Sequence, residues 1–397
     1  MPDLELLRRL SRSLSTADGA DPHDVSAIVD AIGDARIVLL GEASHGTHEF
    51  YATRAAVTRR LIETRGFRAV TIEGDWPDAR RVDRFVRALS SDADADMALG
   101  GFRRFPQWMW RNYVVRDFVS WMRRWNDDRA PEARCGFYGL DLYSLHASID
   151  AVLQYLEHVD PGAAQRARER YSCFEHVGGD DPQAYGFAAS RRLVETCEDD
   201  VVRQLAELRH CADEYASSGG ALAEDDFFSA EQNARLVANA ERYYRSMFHG
   251  RVSSWNLRDT HMVETLDAVV ERLERDGEPA RLCVWAHNWD EPAGRRTVRP
   301  GLSGSTEALF HRLGDPRFLL DLRDPDVREE LAGSRLQRAI GVIYRPETER
   351  QSHYFHVDLP RQFDLVIHYD ETRALEPLER SEGWVHGEPP ETYPFAV

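Results

Sequence analysis

The sequence predicts an α/β protein, with a mostly parallel central sheet flanked by helices and a large helical insertion. Three observations predict it. Four apolar runs of buried-strand length stop at ionisable or amide side chains: IVLLGE at Glu42, AVTIEGD at Glu73 and Asp75, CGFYGLD at Asp141, and LCVWAHN at His287 and Asn288. The first two runs flank a helix-patterned segment, as in the strand-helix-strand unit of a parallel pair. From about 145 to 275 the pattern is helical, interrupted at VGGDDPQAYG and SSGG. Ligands of open α/β sheets bind outside the carboxyl ends of strands, so four polar endings point to groups converging at one end of the sheet.

Residues 2 to 32 read as an N-terminal helical segment leading into the first strand, 36 to 42. After GEASH, the run HEFYATRAAVTRRLIET places Phe50, Ala52, Ala55, Val57, Leu61 and Ile62 at helical spacing, and Gly66 is placed to end that helix. The second strand, 68 to 74, follows at once, and another helix starts near Asp78. RRFPQWMWRNYVVRDFVSWMRRW carries aromatic and aliphatic residues at helical spacing, a stripe that builds core or lines an apolar ligand pocket. After the insertion the sheet is expected to resume through 282–288, 317–324, 339–344 and 363–371. EPAGRRTVRPGLSGS reads as loop, and the tail beyond 376 as an irregular surface segment. The expected organisation is a single α/β catalytic domain, 1–397, with residues 145–275 as an insertion within it.

Composition removes several chemistries. The 397 residues carry 50 basic and 68 acidic side chains, a formal charge of -18, and every basic residue is arginine. Without lysine there is no Schiff base, no pyridoxal-phosphate anchor and no Walker-type phosphate loop. The acidic balance argues against nucleic acid, and arginine pairs such as Arg59-Arg60, Arg80-Arg81 and Arg123-Arg124 read as solvated helix faces. No run approaches 18 consecutive apolar residues, and MPDLELLRRLSRSL lacks a signal-peptide core; a soluble, cytoplasmic protein without a membrane partner is expected. The five cysteines are widely spaced, with no CxxC, and read as reduced structural thiols.

The densest chemistry lies in GEASHGTHE. Were a helix to begin near Ala43, Glu42 and His45 would lie about one turn apart, close enough for the carboxylate to orient the imidazole for general-base work on water or an alcohol. Arg54 would share that face only if the helix bends or its local start is irregular. His45, His48 and Glu49 form an HxxHE string that invites a metal, but it does not match HExxH; no metal and no cofactor is assigned. His287 emerges from an apolar run at a strand end and reads as functional, whereas Glu73 reads equally as a site carboxylate or a salt-bridge partner. Arg258, Asp259 and His261 fall near a helix start, where they cap it or line a cleft. His353 and His356 read as structural. No GxSxG elbow is present, which argues against a serine hydrolase of that type.

These residues carry a family resemblance. LLGEASHGTHEFYATR, AVTIEGDWPDA, FRRFPQWMWRN, GLDLYSL, ERYYRSMFHGRVSSWNLRDTHM, VWAHN, LQRAIGVIYRPETERQSHYF and FDLVIHYDETRALEPL, spanning about 36 to 380, resemble the erythromycin esterase family. The resemblance implies a parallel-sheet α/β core with a helical insertion and hydrolysis of a macrolactone ester by an activated water. It puts the general-base histidine at His45, the assisting carboxylate at Glu42, the site arginine at Arg54, a second carboxylate at Glu73, and the first histidine of the family's AHNxH motif at His287. The motif's second histidine would fall on Asp290, an exchange that removes a hydrogen-bond donor when the aspartate is ionised. The stretch after it is shortened.

The sequence therefore points to a hydrolase for an ester or lactone of a natural product, with Glu42, His45, Glu73 and His287 catalytic and with Arg54, His48, Asp141, Arg258 and Asp290 on the substrate. The same base suits dehydration, cyclisation or epimerisation without net water, and a binding protein that has lost turnover is the third reading. A small molecule is the expected partner; oligomeric state is not legible.

Overall fold

The computed structural model describes residues 2–15, 21–104, 107–175, 181–217, 220–248, 251–275, 277–286, 298–340, 344 and 346–379. It is a mixed α/β fold in which the chain forms two compact units. One comprises 1–70, 86–135 and 281–391; the other comprises 71–85, 136–280 and 392–397. Nine strands occur among the described residues: β1 (Arg12–Ser13), β2 (Ile37–Leu40), β3 (Ala69–Asp75), β4 (Gly136–Asp141), β5 (Leu282–Trp285), β6 (Arg317–Asp321), β7 (Arg335–Arg338), β8 (Tyr354–Val357) and β9 (Leu365–Tyr369).

In the first unit β2 pairs in parallel with β5, Ile37 opposite Leu282 and Leu40 opposite Trp285. Arg68, at the entrance to β3, donates its backbone N–H to Arg281 O, so β5 lies between β2 and the start of β3. The expected parallel pair of first and second strands does not form, since β5 takes the place beside β2; the strand-helix-strand order itself is present. Its helix, His48–Arg65, ends at Gly66 in the left-handed conformation, as expected of a C-terminal glycine. The resumption of the sheet differs from expectation. β6 and β9 join β1 in a separate antiparallel sheet, order β1-β6-β9, and β7 pairs with β8 in a two-stranded one. A short apolar run does not encode its partner, and Leu320, Phe318 and Leu322 on and after β6 find their core with Leu7, Leu309 and Phe310 instead. Of the expected strand 339–344, residues 341–343 lie outside the described residues.

In the second unit β3 and β4 are buried along their full length. The region 145–275 is helical, as expected. Helix Ala221–Ser246 packs against Leu145–Val159, Pro182–Ser190, Glu198–His210 and Arg251–Leu273, and the last of these also lies on β4. Two sequence expectations are corrected here. Cys173 and Cys197, 5.9 Å apart between Cα atoms, form a disulfide; only Cys135, Cys211 and Cys283 are free. Folding brings together cysteines that are 24 residues apart. Arg80 belongs to an internal charge network rather than a solvated face: it bonds Asp83, Asp225 and Asp226. Among the described residues no helix is long and apolar enough to cross a membrane.

Candidate functional site

Each unit holds one cluster of the residues singled out by sequence. In the first, the chain leaves β2 and crosses a loop before the helix opens at His48, with Thr47 as N-cap. The helix does not begin near Ala43, so helical spacing is not what joins Glu42 to His45. The loop is shaped by backbone bonds on both sides. His45 N donates to Ile340 O at 3.0 Å, Ile340 N to Ala43 O at 2.8 Å, and Leu375 N to Gly46 O at 2.7 Å. Gly46 turns the chain at φ +73°, and a Cβ there would come within 2.7 Å of Trp108 Cζ3, so only glycine satisfies both the dihedral and the contact.

That loop brings His45 Nδ1 to 2.8 Å from Glu42 Oε1, with the two side chains 2% and 1% exposed. An ionised carboxylate only accepts, so Nδ1 carries the hydrogen and Nε2 is the basic nitrogen. Arg54, one turn and more into the helix, closes on the same carboxylate from the other side. Its Nη2 is 3.6 Å from Glu42 Oε2 and donates to Ala286 O at 3.3 Å. The guanidinium is braced by the rings of Tyr51 and Trp285, 5.2 and 5.7 Å from their centroids. Arg54 and Glu42 are thus opposite charges in a buried setting, where low local polarity strengthens their attraction. Glu42 and His45 lie in the loop before the helix, so Arg54 reaches the pair without sharing a helical face with it.

His48 N donates to Arg373 O at 2.8 Å, and Glu49 Oε2 accepts from Arg373 N at 2.9 Å, so both fasten the segment 373–375 that runs beside the loop. Among the described residues no group of three or more His, Cys, Asp or Glu side chains is arranged to hold a metal ion. His287 and Asp290 lie outside the described residues. His353 is buried against the Tyr344 ring, and His356 is exposed beside Ser334.

In the second unit Arg258 gathers two strand-end carboxylates. Its Nε and Nη2 donate to Asp141 Oδ1 and Oδ2 at 2.9 and 2.7 Å, and Nη2 also donates to Glu73 Oε1 at 2.6 Å. All three are buried, and the guanidinium lies over the Tyr143 ring at 5.0 Å. The fork of arginine matches a carboxylate in two parallel bonds, which lysine does not offer. One turn along the same helix, His261 Nδ1 accepts from Asn239 Nδ2 at 3.0 Å; burial holds this imidazole down at about 4, against a partly offsetting pull from Asp141. Asp259 points outward. Sequence spacing offered Glu73, Asp141 and Arg258 as separate candidates and gave no sign of their joint contact. Ile340 and Leu375 were missed as supports of the His45 loop, and Trp108 as the neighbour of Gly46, because nothing local ties them to it.

A mixed α/β core with a carboxylate-oriented imidazole in a strand-to-helix loop defines a class of acid-base site, one suited to water or an alcohol. The family follows from comparison with known proteins. A family model described as Erythromycin esterase matches residues 62–289 and 288–372, and the chain belongs to that family. This supports hydrolase chemistry at the level of the family. The match begins after Glu42, His45 and Arg54 and includes Glu73, Asp141 and Arg258. An erythromycin esterase type II of Escherichia coli is 26% identical over 119 residues, 30% of this chain; the match spans 26% of that relative's length. Three solved structures share the fold. A Bacillus cereus protein aligns with TM-score 0.76 at 17% identity, over 95% of this chain and 98% of that one. A succinoglycan biosynthesis protein gives 0.71 at 17%, over 94% and 97%. A histidine-to-asparagine variant of the erythromycin esterase EreC, in its open conformation, gives 0.61 at 16%, over 93% and 99%.

Proposed function

We propose that the protein hydrolyses an ester or lactone of an oxygen-rich natural product, using His45 as general base. The observation that carries this reading is the 2.8 Å contact between Glu42 and His45 Nδ1, which leaves Nε2 as the proton acceptor. In the proposed reaction Nε2 takes a proton from water as the oxygen attacks the ester carbonyl, and Glu42 supports the resulting imidazolium. Collapse of the tetrahedral intermediate breaks the C–O bond, and the imidazolium returns the proton to the departing alkoxide. Ester and water give acid and alcohol, and the base is regenerated. Arg54, against Glu42, keeps that carboxylate oriented. For Glu73, Asp141 and Arg258, which hold one another in the second unit, a role in this reaction is proposed from sequence. For His48 as a substrate contact, and for His287 and Asp290, the proposal rests on sequence.

Mass-resolved turnover of a panel of macrolactones and simpler esters tests it, with wild type, His45→Ala and added chelator side by side. A ring-opened lactone heavier by one water, or an acid and an alcohol that together carry one water more than the ester, absent in His45→Ala and indifferent to chelator, is the expected result. A product with no added water that still needs His45 would replace hydrolysis with a tailoring reaction on the same base. Tight binding without turnover, surviving loss of His45, would leave a binding protein.

A further inference from the structure

Three features of the first unit meet at one tryptophan. The indole edge of Trp108 lies against Gly46, the residue that follows His45, closely enough that an added Cβ would come within 2.7 Å of Cζ3 and 3.1 Å of Cη2. The backbone beneath this ring is fixed. The buried Asn112 side chain donates from Nδ2 to Trp108 O at 3.1 Å and Met109 O at 3.0 Å, while its Oδ1 accepts from Val115 N at 3.0 Å and caps the helix Tyr113–Asp127. Trp108 is nevertheless only partly buried, unlike Trp110 two residues on, which packs inward against Phe102 and Tyr51. A large aromatic side chain on a fixed backbone thus lies beside the loop of the base, in a residue that is not fully buried.

From this we infer that Trp108 is a specificity-determining residue, presenting an apolar platform to the hydrocarbon face of the substrate whose ester His45 addresses. The inference rests on the hydrolase reading. A rigid indole loses little conformational freedom on binding and covers a hydrocarbon face without needing a hydrogen bond. Such a platform discriminates by substrate size: a large macrolactone or long-chain ester covers the ring, whereas an acetyl ester does not.

The experiment compares wild type, Trp108→Phe and Trp108→Ala in two assays: equilibrium binding of an intact macrolactone to each protein carrying His45→Ala as well, and steady-state hydrolysis of acetyl and long-chain esters of one alcohol. Trp108→Ala is expected to weaken macrolactone binding on the order of tenfold or more and to raise KM for the long-chain ester alike. The kcat on the acetyl ester should stay near wild type, and Trp108→Phe should restore most of the binding. Equal loss on both esters would reduce Trp108 to a support of the His45 loop and overturn the inference, as would unchanged binding in Trp108→Ala. Macrolactone binding that depends on Trp108 in a protein that hydrolyses no ester would overturn the hydrolase reading while the platform stands.

Discussion

His45 Nδ1 lies 2.8 Å from Glu42 Oε1, and the contact is made across a loop rather than along a helix. The loop geometry, set by Ile340, Gly46 and Leu375, therefore governs the pair. Replacing His45 with alanine removes the base, and Glu42→Gln removes only its orienting charge. The expected losses of kcat are about 10²- to 10⁴-fold for His45→Ala and smaller for Glu42→Gln. Steady-state hydrolysis of the best ester checks this, and equal losses would show that the carboxylate does more than orient.

Gly46→Ala forces a Cβ into Trp108 at a dihedral that L residues seldom adopt. The two effects together should cost about 2–4 kcal/mol of stability. Urea unfolding at constant m-value is the measurement, and Gly33→Ala is the control, since it shares a positive φ with open space around it.

Arg258→Leu takes from Glu73 and Asp141 the guanidinium they share in a buried setting. The expected destabilisation is about 3–5 kcal/mol. Arg258→Lys should recover only part of it, because an ammonium does not fork onto Asp141. A shift below about 1 kcal/mol for Arg258→Leu would mean that water enters the cluster freely.

His261 gives the stability a pH dependence. Its folded value is depressed from 6.5 to about 4, chiefly by burial, so between those values the unfolded chain binds more protons than the folded one. The contribution is fully present above about 6.5 and is lost as pH falls toward 4, reaching about 3 kcal/mol. His261→Gln should flatten the denaturation midpoint against pH across that window, and an unchanged slope would assign it to other groups.

The Cys173–Cys197 disulfide is open to direct count. Alkylation of the unfolded chain should label three cysteines without reductant and five with it. Closing a loop over a separation of 24 residues restricts the unfolded chain by about 3 kcal/mol, so Cys173→Ser should lower the unfolding midpoint accordingly. Five labelled cysteines without reductant would restore the reduced reading.

The sequence by itself determined the α/β class, the strand-helix-strand order from β2 to β3, the Gly66 helix stop and the helical stretch 145–275, because periodicity and glycine placement are local. It also brought Glu42 and His45 within reach, since three residues hold them close in almost any tight turn. Only tertiary structure decided the rest. β6 and β9 left the expected sheet because strand runs do not name their partners. Arg258 met Glu73 across 185 residues and Asp141 across 117, and Trp108 met Gly46 across 62, contacts that no local pattern encodes. Burial, which sets the charge state of His261 and the strength of every ion pair here, is likewise a property of the packed chain.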